Sequence, residues 1–173
     1  MLSILRRVRE SAVWIAAAAA LAISLGGQLA FAEETKKPPA FKDKWALVVG
    51  VSEFSDESLN GSDNRGAANA KSFAEVLTSR LNFAPDHVKV LTDKDANRND
   101  IMLLMCDRWL NQVAGPQDLA LIFIATKGTA SELDLTGTNY LLAHDSQKEA
   151  LYASGIAMSG VLSMLRDRLF AKS

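Results

Sequence analysis

A chain of 173 residues is long enough for one domain with a proper buried core once its first stretch is set aside. Its composition is that of a globular protein, 49% hydrophobic and 23% charged. The net charge of −1 leaves no basic excess for phosphate binding and excludes nucleic acid as a default partner. The single cysteine excludes an intrachain disulfide framework and a cysteine-based zinc site.

The N-terminus has the form of a targeting segment. Arg6, Arg7 and Arg9 precede an almost wholly apolar stretch, Ala12 to Gly27, and Ala30-Phe31-Ala32 fits an A-x-A cleavage site. Residues 1–32 are therefore expected to be a signal peptide, and the domain to be exported, periplasmic or secreted. The rival reading is an uncleaved membrane anchor over residues 12–32, since about 20 apolar residues suffice to span a bilayer. The alanine-rich, mildly hydrophobic run favours cleavage. Residues 33–43, with Lys36-Lys37-Pro38-Pro39, form a polar linker that adds nothing to a core. The folded domain is expected over residues 44–173.

Trp45 to Val51 is apolar and β-branched without alternation, the pattern of a buried strand. Ser52 to Arg65, rich in Ser, Asp, Asn and Gly, predicts a loop. From Gly66 or Ala67 to Leu81, Ala70, Phe73, Ala74, Leu77 and Leu81 recur at helical spacing. Val88 to Leu91 predicts a short second strand. Asp95 or Asn97 can cap the next helix, which carries Ile101, Leu104, Met105, Trp109 and Val113 and ends at Gly115-Pro116. Leu119 to Ala125 is a continuous apolar run expected to be a strand buried on both faces. A hairpin is expected around Leu141-Leu142, and a last helix, capped by Ser159, holds Val161, Leu162, Leu165 and Leu169.

Strand, helix, strand, helix, strand predicts an α/β fold with a mainly parallel sheet. Ligands and reacting groups in such sheets sit just beyond the carboxyl ends of the strands. Thr126, Lys127 and Gly128, which follow the Leu119–Ala125 run, therefore mark the candidate site. No strand follows the last helix, so the sheet is expected to keep an open edge. The expected partners are a peptide or protein ligand, with a second copy or a complementary chain covering that edge.

Other chemistry-bearing residues have plainer readings. Cys106 lies within Ile101-Met-Leu-Leu-Met-Cys-Asp-Arg-Trp109 and reads as a small core hydrophobe. Asp93-Lys-Asp95-Ala-Asn97 matches the first half of a calcium loop. However, Arg98 takes the position that needs glycine and Leu104 the one that needs a bidentate glutamate, so capping is the better reading. His87 is expected to be an exposed loop residue, and His144, beside Asp145, to make a structural hydrogen bond. Ser159-Gly160 is not a G-x-S-x-G elbow, and no dinucleotide, Walker or H-E-x-x-H motif is present. No metal and no cofactor are expected.

Five segments in order carry a resemblance: Lys44-Trp-Ala-Leu-Val-Val-Gly-Val51, Arg65-Gly-Ala-Ala-Asn-Ala-Lys71, Val88-Lys-Val-Leu-Thr-Asp93, Leu121-Ile-Phe-Ile-Ala-Thr-Lys-Gly-Thr129 and Asn139-Tyr-Leu-Leu-Ala-His-Asp145. Together they resemble the caspase-like peptidases of clan CD, especially bacterial metacaspase-like proteins. The resemblance covers nearly all of residues 44–169. It implies a caspase–hemoglobinase α/β three-layer sandwich, here without its last core strands. It also implies peptide-bond hydrolysis by a Cys-His dyad, with cysteine attacking as thiolate and imidazole moving the proton.

Three departures stand at the positions that matter. Lys127 occupies the place of the family histidine, and a lysine with a usual pKa of about 10.4 is a poor proton acceptor. The family cysteine lies about 50 residues beyond that histidine, which is past Ser173. Asn69 stands where metacaspases place an acidic residue that helps line a pocket for arginine or lysine. The expectation is an inactive peptide- or partner-binding relative. The alternative is the N-terminal part of an active cysteine endopeptidase whose cysteine lies beyond residue 173.

Overall fold

The computed structural model describes residues 41–62, 64–130, 132 and 136–169. The expected leader and the greater part of the linker lie outside these residues.

The core is built on a parallel three-stranded sheet. Its strands are β1 (Lys44–Gly50), β2 (Val88–Thr92) and β3 (Leu119–Ala125), in the order β2-β1-β3. Ala46 lies opposite Val88 on one side of β1, and Lys44 opposite Leu119 on the other. β1 is therefore the central strand, and Ala46 to Val49 have no exposed surface. β3 is half-buried along most of its length and forms a sheet edge among the described residues, which corrects the expectation of burial on both faces. An apolar run alone does not say which of two such strands will be central; pairing order decides that.

Side chains alternate across β1. Ala46 and Val48 pack with Ala70 and Leu77 of α1 (Gly66–Ser79) and with Phe83. Leu47, Val49 and Val51 pack on the opposite face with Ile101, Met105, Trp109 and Leu110. Helices on both faces of a parallel sheet make an α/β sandwich, as the strand–helix alternation predicts.

The second crossover is not one helix. α2 (Arg98–Met102) passes into a π-helical turn, Leu103–Asp107, and α3 (Leu110–Val113) starts afresh after Trp109. Met105 and Cys106 in the wide turn, and Trp109 and Leu110 just beyond it, are all buried in the core. Asn97 caps α2 by accepting a hydrogen bond from Asp100 N at 2.9 Å, as its position suggests.

After β3 the chain reverses. β4 (Tyr140–Leu141) pairs antiparallel with β5 (Ile156–Ala157), and a short helix, α4 (Leu151–Ser154), lies between them. α5 (Met158–Met164) follows β5 directly. Ser159 is not its cap: Ala157 holds that position, and Met158 N, at the helix start, donates to Asn139 O at 3.0 Å. A strand running straight into the helix supplies a main-chain acceptor where a hydroxyl was expected. Among the described residues no helix is long and apolar enough to cross a membrane.

Candidate functional site

The carboxyl ends of β1 and β3 lie side by side, with Gly50 opposite Ala125. The first turn of α1 is pressed against both. A side chain on Gly50 would meet Gly66 O and Ala70 Cβ, and one on Gly66 would meet Val51 O and Ala125 O. Only glycine at these two positions lets helix and strand backbones approach this closely. Ser52, just past β1, accepts a hydrogen bond from Ala67 N at 2.9 Å and so caps α1 from a distance. Arg65, at the cap position itself, makes no side-chain cap.

A cavity of about 560 Å³ opens at this junction. Asn64, Arg65 and Asn69 line it from the α1 side, and Thr126 and Lys127 from the end of β3. The structure thus brings Thr126 and Lys127, marked by their place after the strand, together with Asn69, the pocket candidate drawn from the resemblance. Gly128 leads away: it bridges to Leu141, Leu142 N donates to Lys127 O at 2.9 Å, and Thr126 Oγ1 donates to Leu142 O at 2.6 Å.

Lys127 is a tether. Its Nζ donates to Leu59 O at 2.6 Å and lies 5.8 Å from the centre of the Phe54 ring. It therefore holds the loop after β1, at the short 3₁₀ turn Glu57–Leu59, against the end of β3. The same loop is fastened at its start by Asp93, whose Oδ1 accepts from Ser52 N at 2.8 Å and Glu53 N at 3.0 Å. Asp93 adopts a left-handed backbone, φ 48°, to do so. This corrects its reading as a helix cap. The sequence signalled neither anchor, because the groups held are main-chain.

The remaining candidates are occupied elsewhere. Cys106 is 6% exposed in the core, with its Sγ 3.0 Å from Met164 Sδ. His144 Nδ1 lies 2.7 Å from Glu53 O, the structural hydrogen bond expected of it, and gives the same loop a further anchor. His87 is half-buried rather than exposed, stacked on Trp45 with ring centres 3.5 Å apart. Its position just before β2 lays the imidazole over the indole of the neighbouring strand. Asp56 and Asp118 have carboxyls held below the usual aspartate range. Asp56 is lowered first by the Lys148 N–H and then by Ser58. Asp118 is lowered first by the Gly115 N–H, with burial opposing, then by Asp43 N–H and Trp45 Nε1–H.

Fold and site define a class: an α/β domain with a ligand-sized cleft at the carboxyl ends of a parallel sheet, the usual place for such sites. No protein-family model matches the chain, and no curated protein matches it. Among solved structures it is similar to protein GSU0716 from Geobacter sulfurreducens, with TM-score 0.53 and 18% identity over 71% of this chain. The match spans 44% of that protein's chain, and the likeness is one of fold.

Proposed function

We propose that the domain is an exported, non-catalytic relative of the caspase-like and metacaspase-like peptidases that binds a peptide or a partner's loop in the cleft between β1 and β3. The observation that carries this reading is Lys127. At the position where the resemblance calls for a proton-carrying histidine, an ammonium is fixed to Leu59 O at 2.6 Å, and the cleft beside it keeps about 560 Å³. The residue braces the cleft wall. The sole cysteine, Cys106, packs in the core against Met164 and has no part in the cleft.

The test pairs a binding assay with a hydrolysis assay on the purified chain. Peptides from an arrayed library should be retained without cleavage, and Asn69→Trp, which fills the cavity from an exposed helix position, should remove retention. Thiol-sensitive cleavage of any peptide by the wild-type chain would overturn the reading. So would retention unaffected by Asn69→Trp.

The resemblance also carries one second reading, and the solved chain matched in fold extends beyond the matched part. In that reading, the domain is the N-terminal part of a cysteine endopeptidase whose nucleophile lies on a further strand. That reading requires Lys127→His to raise peptidase activity in the protein isolated from its source; under the binding reading the variant stays inactive.

A further inference from the structure

We propose that Asn60 is a site of spontaneous deamidation, and that its conversion unfastens the loop that walls the cleft. Asn60 is the asparagine that glycine follows; each of the others precedes a residue with a side chain. Glycine has no Cβ to shield its amide nitrogen, and its backbone is free, so in an Asn-Gly pair that nitrogen can reach the neighbouring side-chain carbonyl. Asn60 and Gly61 are both exposed to water. Water is the only co-reactant. Gly61 N gives up its proton to solvent and bonds to Asn60 Cγ; the bond from Cγ to Nδ2 breaks, and ammonia leaves. Water then opens the cyclic imide at either carbonyl, and residue 60 becomes aspartate or isoaspartate.

The folded loop holds the reacting groups apart. Asn60 ends the Glu57–Leu59 turn with an extended backbone, φ −75° and ψ 153°. Its side chain reaches back to Phe54: Oδ1 accepts from Phe54 N at 2.9 Å, and Nδ2 donates to Phe54 O at 3.0 Å. The carboxamide is thus a double clamp on a buried residue whose ring lies 5.8 Å from Lys127 Nζ. Lys127 holds the neighbouring residue as well, through Leu59 O at 2.6 Å. Conversion requires the clamp to open, and the tether on Leu59 limits how often it does. Once converted, the side chain has no N–H. A carboxylate at residue 60 sets an oxygen against Phe54 O where a donor stood, and the clamp is lost. Isoaspartate also lengthens the main chain by a methylene between the turn and Gly61. Ammonia is lost to solvent, so the passage from clamped to open runs one way.

The experiment follows the folded full-length chain at mildly alkaline pH by peptide mass and amide exchange. Neither readout depends on what the cleft binds. The peptide holding Asn60 should gain the mass difference between NH2 and OH and divide into aspartate and isoaspartate forms, while the other asparagines keep their mass. Gly61→Ala should slow this roughly tenfold or more. Its methyl meets Lys127 Nζ at 3.3 Å, the flexible end of a side chain, so the fold is kept. Lys127→Met should hasten conversion roughly tenfold, in step with more frequent opening of the loop. Asn60→Asp, made directly, should quicken exchange of the Leu59 amide, which donates to Asp56 O, by roughly tenfold and leave β1 near wild type. Asn60 unchanged in both the folded chain and Lys127→Met, after a time that converts it fully in urea, would overturn the proposal. Conversion of the folded chain at the urea rate would overturn it too, because the clamp would then hold nothing. So would wild-type exchange at Leu59 in Asn60→Asp, since the modification would leave the loop fastened.

Discussion

Replacing Lys127 by methionine removes the ammonium while keeping most of the hydrocarbon stem. What is lost is the hydrogen bond to Leu59 O at 2.6 Å and the attraction to the Phe54 ring at 5.8 Å. A charge-assisted hydrogen bond contributes about 1.5–3 kcal/mol and a partly solvated cation–π contact about 0.5–1 kcal/mol. Lys127 is only half-buried, and Leu59 O can be rehydrated when the tether goes, so the net loss should be about 1–2 kcal/mol. With a urea dependence of about 1–3 kcal/mol per M for a domain of this size, the unfolding midpoint should fall by roughly 0.5–1 M. The loss should be local before it is global. The amides of Leu59 and Asn60, which donate to Asp56 O and Glu57 O at 3.0 Å, should exchange about tenfold faster or more. Amides of β1 should follow only the change in global stability. An unchanged urea midpoint together with unchanged exchange at Leu59 and Asn60 would refute the assignment of Lys127 as a tether.

Gly66→Ala should lower stability by about 1–3 kcal/mol or more. Its new methyl meets two main-chain oxygens, Val51 O and Ala125 O, that cannot move without parting helix from strands; thermal unfolding reads this directly. Asn97→Ala removes the cap that accepts from Asp100 N and should cost about 1 kcal/mol in chemical denaturation. Acid sensitivity follows from Asp56 and Asp118, whose folded-state values lie below the usual 3.8. A depressed carboxyl adds stability that is fully present above that usual value and is lost as pH falls through the folded value. Urea midpoints should therefore hold steady down to about pH 4 and decline below it. Asp118→Asn should flatten that decline; an equally steep acid limb in the variant would count against Asp118 as a contributor.

The parts of the fold legible in the sequence are those set by runs of side chains. Leu119–Ala125 is seen as a strand over its whole length, and β1 and α1 to within a few residues, because parallel strands and amphipathic helices announce themselves by apolar periodicity. The order of strands is a different matter. β1 and β3 have nearly the same residue types, and only their pairing makes one central and the other an edge. The π turn at Leu103–Asp107 escaped notice because a single inserted residue shifts the phase of a helix without changing its composition. Ser159 misled because hydroxyl caps have a residue signature, whereas Asn139 O, the acceptor actually used, has none. The site shows the same division. Thr126 and Lys127 were legible as its members from their place after a strand end, and Asn69 only through the family resemblance. Their surroundings were not, since the loop they face is fastened through Leu59 O, Glu53 O and the amides of Ser52 and Glu53.

That division bears on why a lysine suits the end of β3. A residue at this position has two directions open to it: into the cleft, or across to the loop that walls it. An imidazole is short and its ring nitrogens are fixed by the ring, so it can present a proton to the cleft but cannot easily span to the Glu57–Leu59 turn. The lysine stem is long and flexible, and its ammonium has three donors, one of which reaches Leu59 O. The loop also depends on Asp93 at its beginning and His144 at Glu53, so its fixed shape rests on contacts from the segments just beyond β2, β3 and β4. A rigid wall lowers the ordering cost of binding a ligand, and cleavage would not benefit from a cationic brace where a base is needed. Under this reasoning Lys127→His should leave the cleft both inactive and less ordered, with faster exchange at Leu59 and Asn60 and weaker peptide retention. A histidine variant that keeps wild-type retention and exchange would mean that the tether and the cleft are independent.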